Sequence, residues 1–333
     1  MRTTRTSPEA TSQAFGAAAR IGPPIHVSGP DAPWHRVRES MGRHGNAVVH
    51  ATWGEWLTAA VADPALRRLL GRDWQRYRST GDPAVRFRFA VSRLVTKFTA
   101  AVALHVEPAE LELAYKIGGR PYLRGFDQLD VSLTHTDDLI AVVISRDGRI
   151  GVDAEPVDRP MSYELLHGHV LTAAERAALA PLPPDERAAE MLRLWTLKEA
   201  YTKALGQGLR LGFTEFGFGP GDGESHTPGG VLHTPDGRPA ARGEWSFATH
   251  RVLGRYLLSV ARQDTGLGGC RDTTARGMLD EGLVAAVAER LAEGVDERVA
   301  ERVAERPRQG GLDSRSQVRP GRLEESGAPP THG

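Results

Sequence analysis

Residues 194–208, Leu-Trp-Thr-Leu-Lys-Glu-Ala-Tyr-Thr-Lys-Ala-Leu-Gly-Gln-Gly, constrain the chain more than any other stretch. Leu194, Leu197, Tyr201 and Leu205 recur at helical spacing and form an apolar stripe that must find a core. Trp195, Lys198, Glu199, Thr202 and Lys203 fall on a second face, and Gly206 and Gly208 supply the stop. That second face offers one carboxylate between two ammonium groups, beside a large aromatic ring. Two readings stand open. Glu199 and Lys203 lie at i,i+4 with the acid N-terminal, the favoured order for a surface ion pair on scaffold. The same residues could instead belong to a site.

A second stretch, residues 149–156, reads Arg-Ile-Gly-Val-Asp-Ala-Glu-Pro and predicts a strand ending at the proline. Side chains alternate across a strand, so Ile150, Val152 and Ala154 share one face and Gly151, Asp153 and Glu155 the other. Two carboxylates two residues apart on one face repel unless a cation sits between them. An all-oxygen pair suits a hard ion such as Mg²⁺, which takes water and phosphate oxygens as its remaining ligands. The alternative is an exposed strand end with two solvated acids.

Taken together, G-V-D-A-E followed about forty residues later by W-x-x-K-E-A-x-x-K resembles the 4′-phosphopantetheinyl transferases of the surfactin-synthetase-activating type. The resemblance implies an α+β fold: a pseudo-twofold pair of similar subdomains, each a helix packed on a small, mostly antiparallel sheet, with coenzyme A in the cleft between them. It implies transfer of 4′-phosphopantetheine from coenzyme A to a serine of an apo acyl or peptidyl carrier protein, as in polyketide and nonribosomal peptide biosynthesis. Mg²⁺ would be held by Asp153, Glu155 and Glu199, and 3′,5′-ADP would leave. Glu199, Lys203 and Asp153 are then the catalytic candidates, with the base that takes the serine proton left open between Glu199 and a water. Lys203 and Lys198 would carry charge toward the pyrophosphate. A Mg²⁺-dependent hydrolase of coenzyme A or a nucleotide, and a non-catalytic module that binds coenzyme A or a carrier protein, remain the competing functions.

The resemblance extends upstream. Asp82-Pro83 is a strong helix start, with an N-cap and a proline in the first turn, for a helix running to about residue 103. Its basic residues, and those just before it, match the family's basic stretch, which makes Arg78, Arg86 and Arg93 candidates for the coenzyme A 3′-phosphate and adenine. Each also fits a solvated helix face. Gly118-Gly119-Arg120-Pro121 resembles the family's G-K-P turn with Arg in place of Lys, so Arg120 could fork onto a phosphate. Ser132-Leu133-Thr134-His135 ends a strand where the family carries a hydroxyl and a histidine, which makes Thr134 and His135 phosphate contacts. Residues 139–145 predict a buried strand, joined through an Asp147-Gly148 hairpin turn to 149–155 as its antiparallel neighbour. Thr172 and Glu175 form a capping box. Residues 209–218 predict a strand region, and 245–250 with 256–261 a closing hairpin.

Composition bounds the rest. Lys+Arg and Asp+Glu both number 42 in 333 residues, so net charge argues for neither nucleic acid nor a membrane surface as partner. The single cysteine, Cys270, rules out an internal disulfide framework and any Cys/His zinc spacing, as expected of a cytoplasmic protein. No apolar run of about 18 residues predicts a membrane span. Residues 1–45 are polar and aperiodic and predict disorder; the acid-poor start only loosely resembles a transit peptide. Subdomains are expected at 46–157 and 158–263. Residues 264–333 form a polar tail, helical over about 278–306, where V-A-E-R recurs at a four-residue step.

Overall fold

Among the described residues, a proline opens each of the two longest helices. Asp82 accepts the Val85 N–H at 3.0 Å and sets up a helix over Pro83–Leu104, and a second runs over Pro184–Leu205; both have 22 residues. The computed structural model describes residues 21–116, 118–206, 211–219, 230–240 and 244–264. All of them belong to a unit that ends at Thr273.

In chain order the first half contains β1 (Pro24–His26), α1 (His35–His44), β2 (Asn46–Thr52), short helices α2 (Leu57–Ala62), α3 (Leu66–Leu70) and α4 (Trp74–Ser79), then α5 (Pro83–Leu104), β3 (Leu113–Tyr115), β4 (Pro121–Leu123), β5 (Asp130–Thr136) and β6 (Leu139–Ser145). The second half contains β7 (Ile150–Pro156), α6 (Tyr163–Val170), α7 (Ala173–Leu179), α8 (Pro184–Leu205), β8 (Gly217–Gly219), β9 (Val231–His233), β10 (Trp245–Val252) and β11 (Tyr256–Gln263). The main sheets are ordered β1-β2-β6-β5 and β10-β11-β7, and every pairing is antiparallel except β1 on β2. Strand, long helix, then hairpin thus occurs twice: β2, α5, β5–β6 and β7, α8, β10–β11. This is the α+β pair of similar halves that the family resemblance implies.

Three apolar clusters hold it together. One packs α5 on β2 and β6 through Val91, Leu94, Val95, Val49, Val142 and Ile144. Another packs α8 on β8, β10 and β11 through Leu194, Leu197, Phe218, Phe247 and Ala261. The third joins the sheets on the faces turned away from these helices: Val48, Leu139, Ala141 and Val143 meet Ile150, Val152, Ala154, Leu258 and Val260. β6 is therefore covered on both faces, and all seven of its residues are buried, which is why it reads as an unbroken apolar run.

The halves also meet along β5 and β7, where side chains replace a backbone ladder. The Asp130 carboxylate accepts the Ile150 N–H at 2.8 Å, and Ser132 Oγ accepts the Val152 N–H at 3.3 Å. Thr134 Oγ1 donates to Asp153 Oδ1 at 3.1 Å. Every second residue of β5 takes part, as period-2 geometry requires.

Two expectations need correction. β6 and β7 are not a hairpin pair: β2 and β5 occupy both edges of β6, so the chain crosses at Asp147-Gly148 into the other sheet and β7 pairs with β11. Order also begins before residue 46. β1 and α1 lie within the segment expected to be disordered, anchored by Ile25, Trp34, Val37 and Met41 in the first core. The predicted tail helix lies outside the described residues, as do residues 209 and 210 of the predicted 209–218 strand region; the rest of that region forms a 3₁₀ turn at Phe213–Glu215 and runs into the short strand β8.

Candidate active site

The site grows from the contact of β7 with α8. Gly151 faces the helix so closely that a Cβ there would stand 2.0 Å from the Ala200 carbonyl oxygen and 2.5 Å from the Ala204 nitrogen. A glycine on the strand and alanines on the helix let the two backbones approach, which brings Asp153 and Glu155 of β7 alongside Glu199 and Lys203 of α8.

Lys203 Nζ donates to Asp153 Oδ1 at 2.6 Å and to Thr134 Oγ1 at 3.3 Å, so the ammonium bridges β5, β7 and α8 where the halves meet. The i,i+4 partner Glu199 is not the residue Lys203 pairs with, contrary to the scaffold reading. Glu199 is held above the ordinary carboxylate value, mainly by burial and then by the Asp153 charge, against the pull of Lys203 and Arg159. Glu155 shifts the same way, burial first, with Arg159 opposing and Asp153 adding. The three carboxylates are thus close enough to feel one another. Beside Glu199 lies a pocket of ≈ 350 Å³ walled by Leu166, Val170, Trp195, Leu211 and Phe213. A larger, more open hollow of ≈ 620 Å³ lies over α3 and α4 among Arg67, Arg68 and Arg72, and none of the site carboxylates lines it.

Lys198 is a correction. It is fully buried and donates to Glu175 Oε2 at 2.7 Å and to the carbonyls of Val170, Phe213 and Phe216 at 2.8, 2.7 and 2.9 Å. Its ammonium has no proton to spare for a pyrophosphate. Glu175 also closes the predicted capping box with Thr172 and accepts the Phe218 N–H at 2.8 Å. Lys198 therefore ties α8 to the start of α7 and to β8.

The basic candidates divide. His135 lies on the α5 side of β5. Partial burial, then Arg88, Arg93 and Lys203, hold its imidazole below the ordinary value, which defines a cationic surround. Arg88 was not among the sequence candidates; it donates to the Asp137 carbonyl at 3.2 Å. Arg93 is paired with Asp73 at 3.1 Å and stacks over Phe89 and Tyr115. Arg86 lies over Tyr77 and Phe87, with a buried Nε that has no hydrogen-bond partner. Arg78 is exposed on α4. Arg120 is drawn into the seam instead: its Nη2 binds Asp130 at 2.5 Å and the Ile150 carbonyl at 2.8 Å, at the end of β7 away from Glu155. Two of its partners are internal, which corrects a free phosphate fork to a joint between the sheets.

The donor set fits a hard divalent cation in kind. Its donors are all oxygens, and Asp153 Oδ2 is buried without a hydrogen-bond partner. Among the described residues, however, no three His, Cys, Asp or Glu side chains stand at metal-holding spacing. Carboxylates that repel one another have settled on cationic side chains, Asp153 on Lys203 and Glu155 on Arg159.

A two-half α+β scaffold with acidic and basic side chains gathered at its seam defines the class of this molecule. Residues 149–261, which carry those acids and α8, match the profile of the 4′-phosphopantetheinyl transferase superfamily. It is 34% identical over 123 residues to the L-aminoadipate-semialdehyde dehydrogenase-phosphopantetheinyl transferase of Eremothecium gossypii, covering 35% of this chain and 45% of that one. It is 29% identical over 130 residues to the 4′-phosphopantetheinyl transferase HetI of a Nostoc species, covering 38% and 55%. The 4′-phosphopantetheinyl transferase psf-1 of Bacillus pumilus is 26% identical over 140 residues, covering 40% and 59%. The chain thus spans about half the length of the curated relatives it matches.

Proposed function

We propose that this protein is an enzyme that transfers 4′-phosphopantetheine from coenzyme A to a serine of an apo acyl or peptidyl carrier protein, with Mg²⁺, in the cytoplasm. The observation that carries this reading is the meeting of Asp153, Glu155, Glu199 and Lys203 at the seam of the two halves, with Thr134 and His135 beside them. The superfamily match over 149–261, which contains Asp153, Glu155, Glu199 and Lys203, supports it.

The serine oxygen attacks the phosphorus esterified to the pantetheine. The bond from that phosphorus to the oxygen bridging the two phosphates breaks, and its electron pair leaves with 3′,5′-ADP. Asp153, Glu155 and Glu199 would hold Mg²⁺, which supplies charge neutralisation of the phosphates. Lys203 places a second positive charge at the same point, and His135, among Arg88 and Arg93, offers an N–H to a phosphate oxygen. The serine proton goes to Glu199 or to a water held beside it, and a carboxylate engaged on the cation is the poorer base of the two. Trp195 and the apolar wall beside it exclude water from the attacked phosphorus and so favour serine over hydrolysis.

The test is incubation with coenzyme A, MgCl₂ and an apo carrier protein, followed by intact mass of the carrier. The expected result is the gain of one phosphopantetheine, cut about 100-fold or more by Glu199→Gln or Asp153→Asn. Release of 3′,5′-ADP without carrier would establish a hydrolase instead. Coenzyme A binding without turnover, indifferent to both substitutions, would leave only a binding module.

A further inference from the structure

Pro156 ends β7 and the chain turns back, with the Arg159 N–H on the Pro156 carbonyl at 3.1 Å and the Val157 N–H on the Arg255 carbonyl at 3.0 Å. The turn returns the Arg159 side chain over the strand end. Its Nη1 donates to Glu155 Oε1, and its guanidinium carbon lies 5.6 Å from the centre of the Trp195 ring. Trp195 in turn walls the pocket beside Glu199. One guanidinium therefore holds a carboxylate of the site and the aromatic wall of its pocket together.

We infer that Arg159 is a positioning residue that a divalent cation displaces: it holds Glu155 and covers Trp195 until the cation takes the carboxylate and releases both. The inference rests on the Mg²⁺ reading above. A guanidinium and a dication compete for the same Glu155 oxygens, and like charges in one carboxylate cluster repel. Arg159 has somewhere to go, because its side chain is 38% exposed while that of Glu155 is 16% exposed. Loss of the Trp195 contact then frees the ring that walls the pocket. Cation binding and release of the pocket wall become one event.

The experiment uses the full chain with Mn²⁺ as probe. Free Mn²⁺ is read by electron paramagnetic resonance for wild type, Arg159→Gln and Arg159→Lys, and tryptophan fluorescence is followed on adding Mg²⁺, with Trp195→Phe to assign the signal. Arg159→Gln should bind Mn²⁺ about three- to tenfold more tightly and lose the Trp195 fluorescence change. Arg159→Lys, which keeps the charge but not the planar stack, should bind Mn²⁺ as wild type does. Equal or weaker Mn²⁺ binding by Arg159→Gln overturns the inference and leaves Arg159 a strand-end ion pair. No Mn²⁺ binding by any of the three proteins overturns the metal reading itself, and this inference with it.

Discussion

Two lysines five residues apart on α8 carry opposite duties. Lys198 lies four residues after Leu194 and three before Tyr201, and both of these pack into the second core. The motif W-x-x-K-E-A-x-x-K draws both lysines toward the phosphates, and the sequence reading puts Lys198 on the second face although its steps to Leu194 and Tyr201 fit the apolar one as well. Lys203 falls on the Trp195–Glu199 row, four residues per step, and reaches the seam. Lys198→Met should therefore strand the buried Glu175 carboxylate without its cation and cost about 3–5 kcal/mol of stability. Lys203→Met leaves the buried Asp153 without its cation, but the lysine is itself 30% exposed, so stability should fall by only about 1–3 kcal/mol while carrier loading falls about 100-fold. Urea unfolding alongside the carrier assay separates the two. A Lys198→Met protein with wild-type stability and crippled turnover would show that its ammonium serves the chemistry after all. Arg159 and Arg88 were missed for different reasons. Arg88 stands in the basic stretch, but the candidates there are Arg86 and Arg93; Arg159 belongs to no motif, although its four-residue step from Glu155 could have suggested it.

Gly151 shows what one strand–helix contact demands. A Cβ there collides with helix backbone rather than with a flexible side-chain tip, so α8 as a whole must shift. Gly151→Ala should cost about 2–4 kcal/mol and, because Asp153 and Lys203 lie on the two elements forced apart, reduce carrier loading as well. Gly42→Ala in α1 is the control. Nothing lies within 4 Å of its added methyl, and a helical alanine should be neutral or stabilising by up to about 1 kcal/mol. If thermal melts of the two variants match, the close approach does not govern the site. At this scale the chain was largely legible where the signal was periodic. The α8 stripe, the two-faced β7, the Pro83 helix and the β10–β11 hairpin all follow from spacing. Pairing was not. Asp147-Gly148 is a good local hairpin signal, yet the edges of β6 were claimed by β2, about ninety residues away, and by β5. α1 was missed because only three of its ten residues, Val37, Ser40 and Met41, are buried.

The molecule works only while its two halves stay in register, and acid should loosen them. His50 on β2 lies two residues from Val48, and His250 on β10 two residues from Val252, so each falls on the sheet face that meets the other sheet. Burial, then the neighbouring His26, depress His50 from 6.5 to about 4, with Glu55 opposing; burial depresses His250 as well. A histidine whose folded value is lowered binds its proton more readily unfolded. Its contribution is therefore intact above 6.5 and drains away as pH falls toward 4, which for His50 is about 3 kcal/mol. Glu155 and Glu199, raised in the fold, carry the opposite sign: they favour the folded state as they take up protons above their ordinary value of 4.5. The total pH profile thus mixes both, and only a difference isolates the histidine. His50→Gln should lower the unfolding free energy near neutrality but remove most of the loss between about pH 6.5 and pH 4, so that its profile runs flatter than wild type in urea titrations across that range. Parallel profiles would mean that His50 is already charged in the fold. The seam would then owe its acid sensitivity to the carboxylates alone.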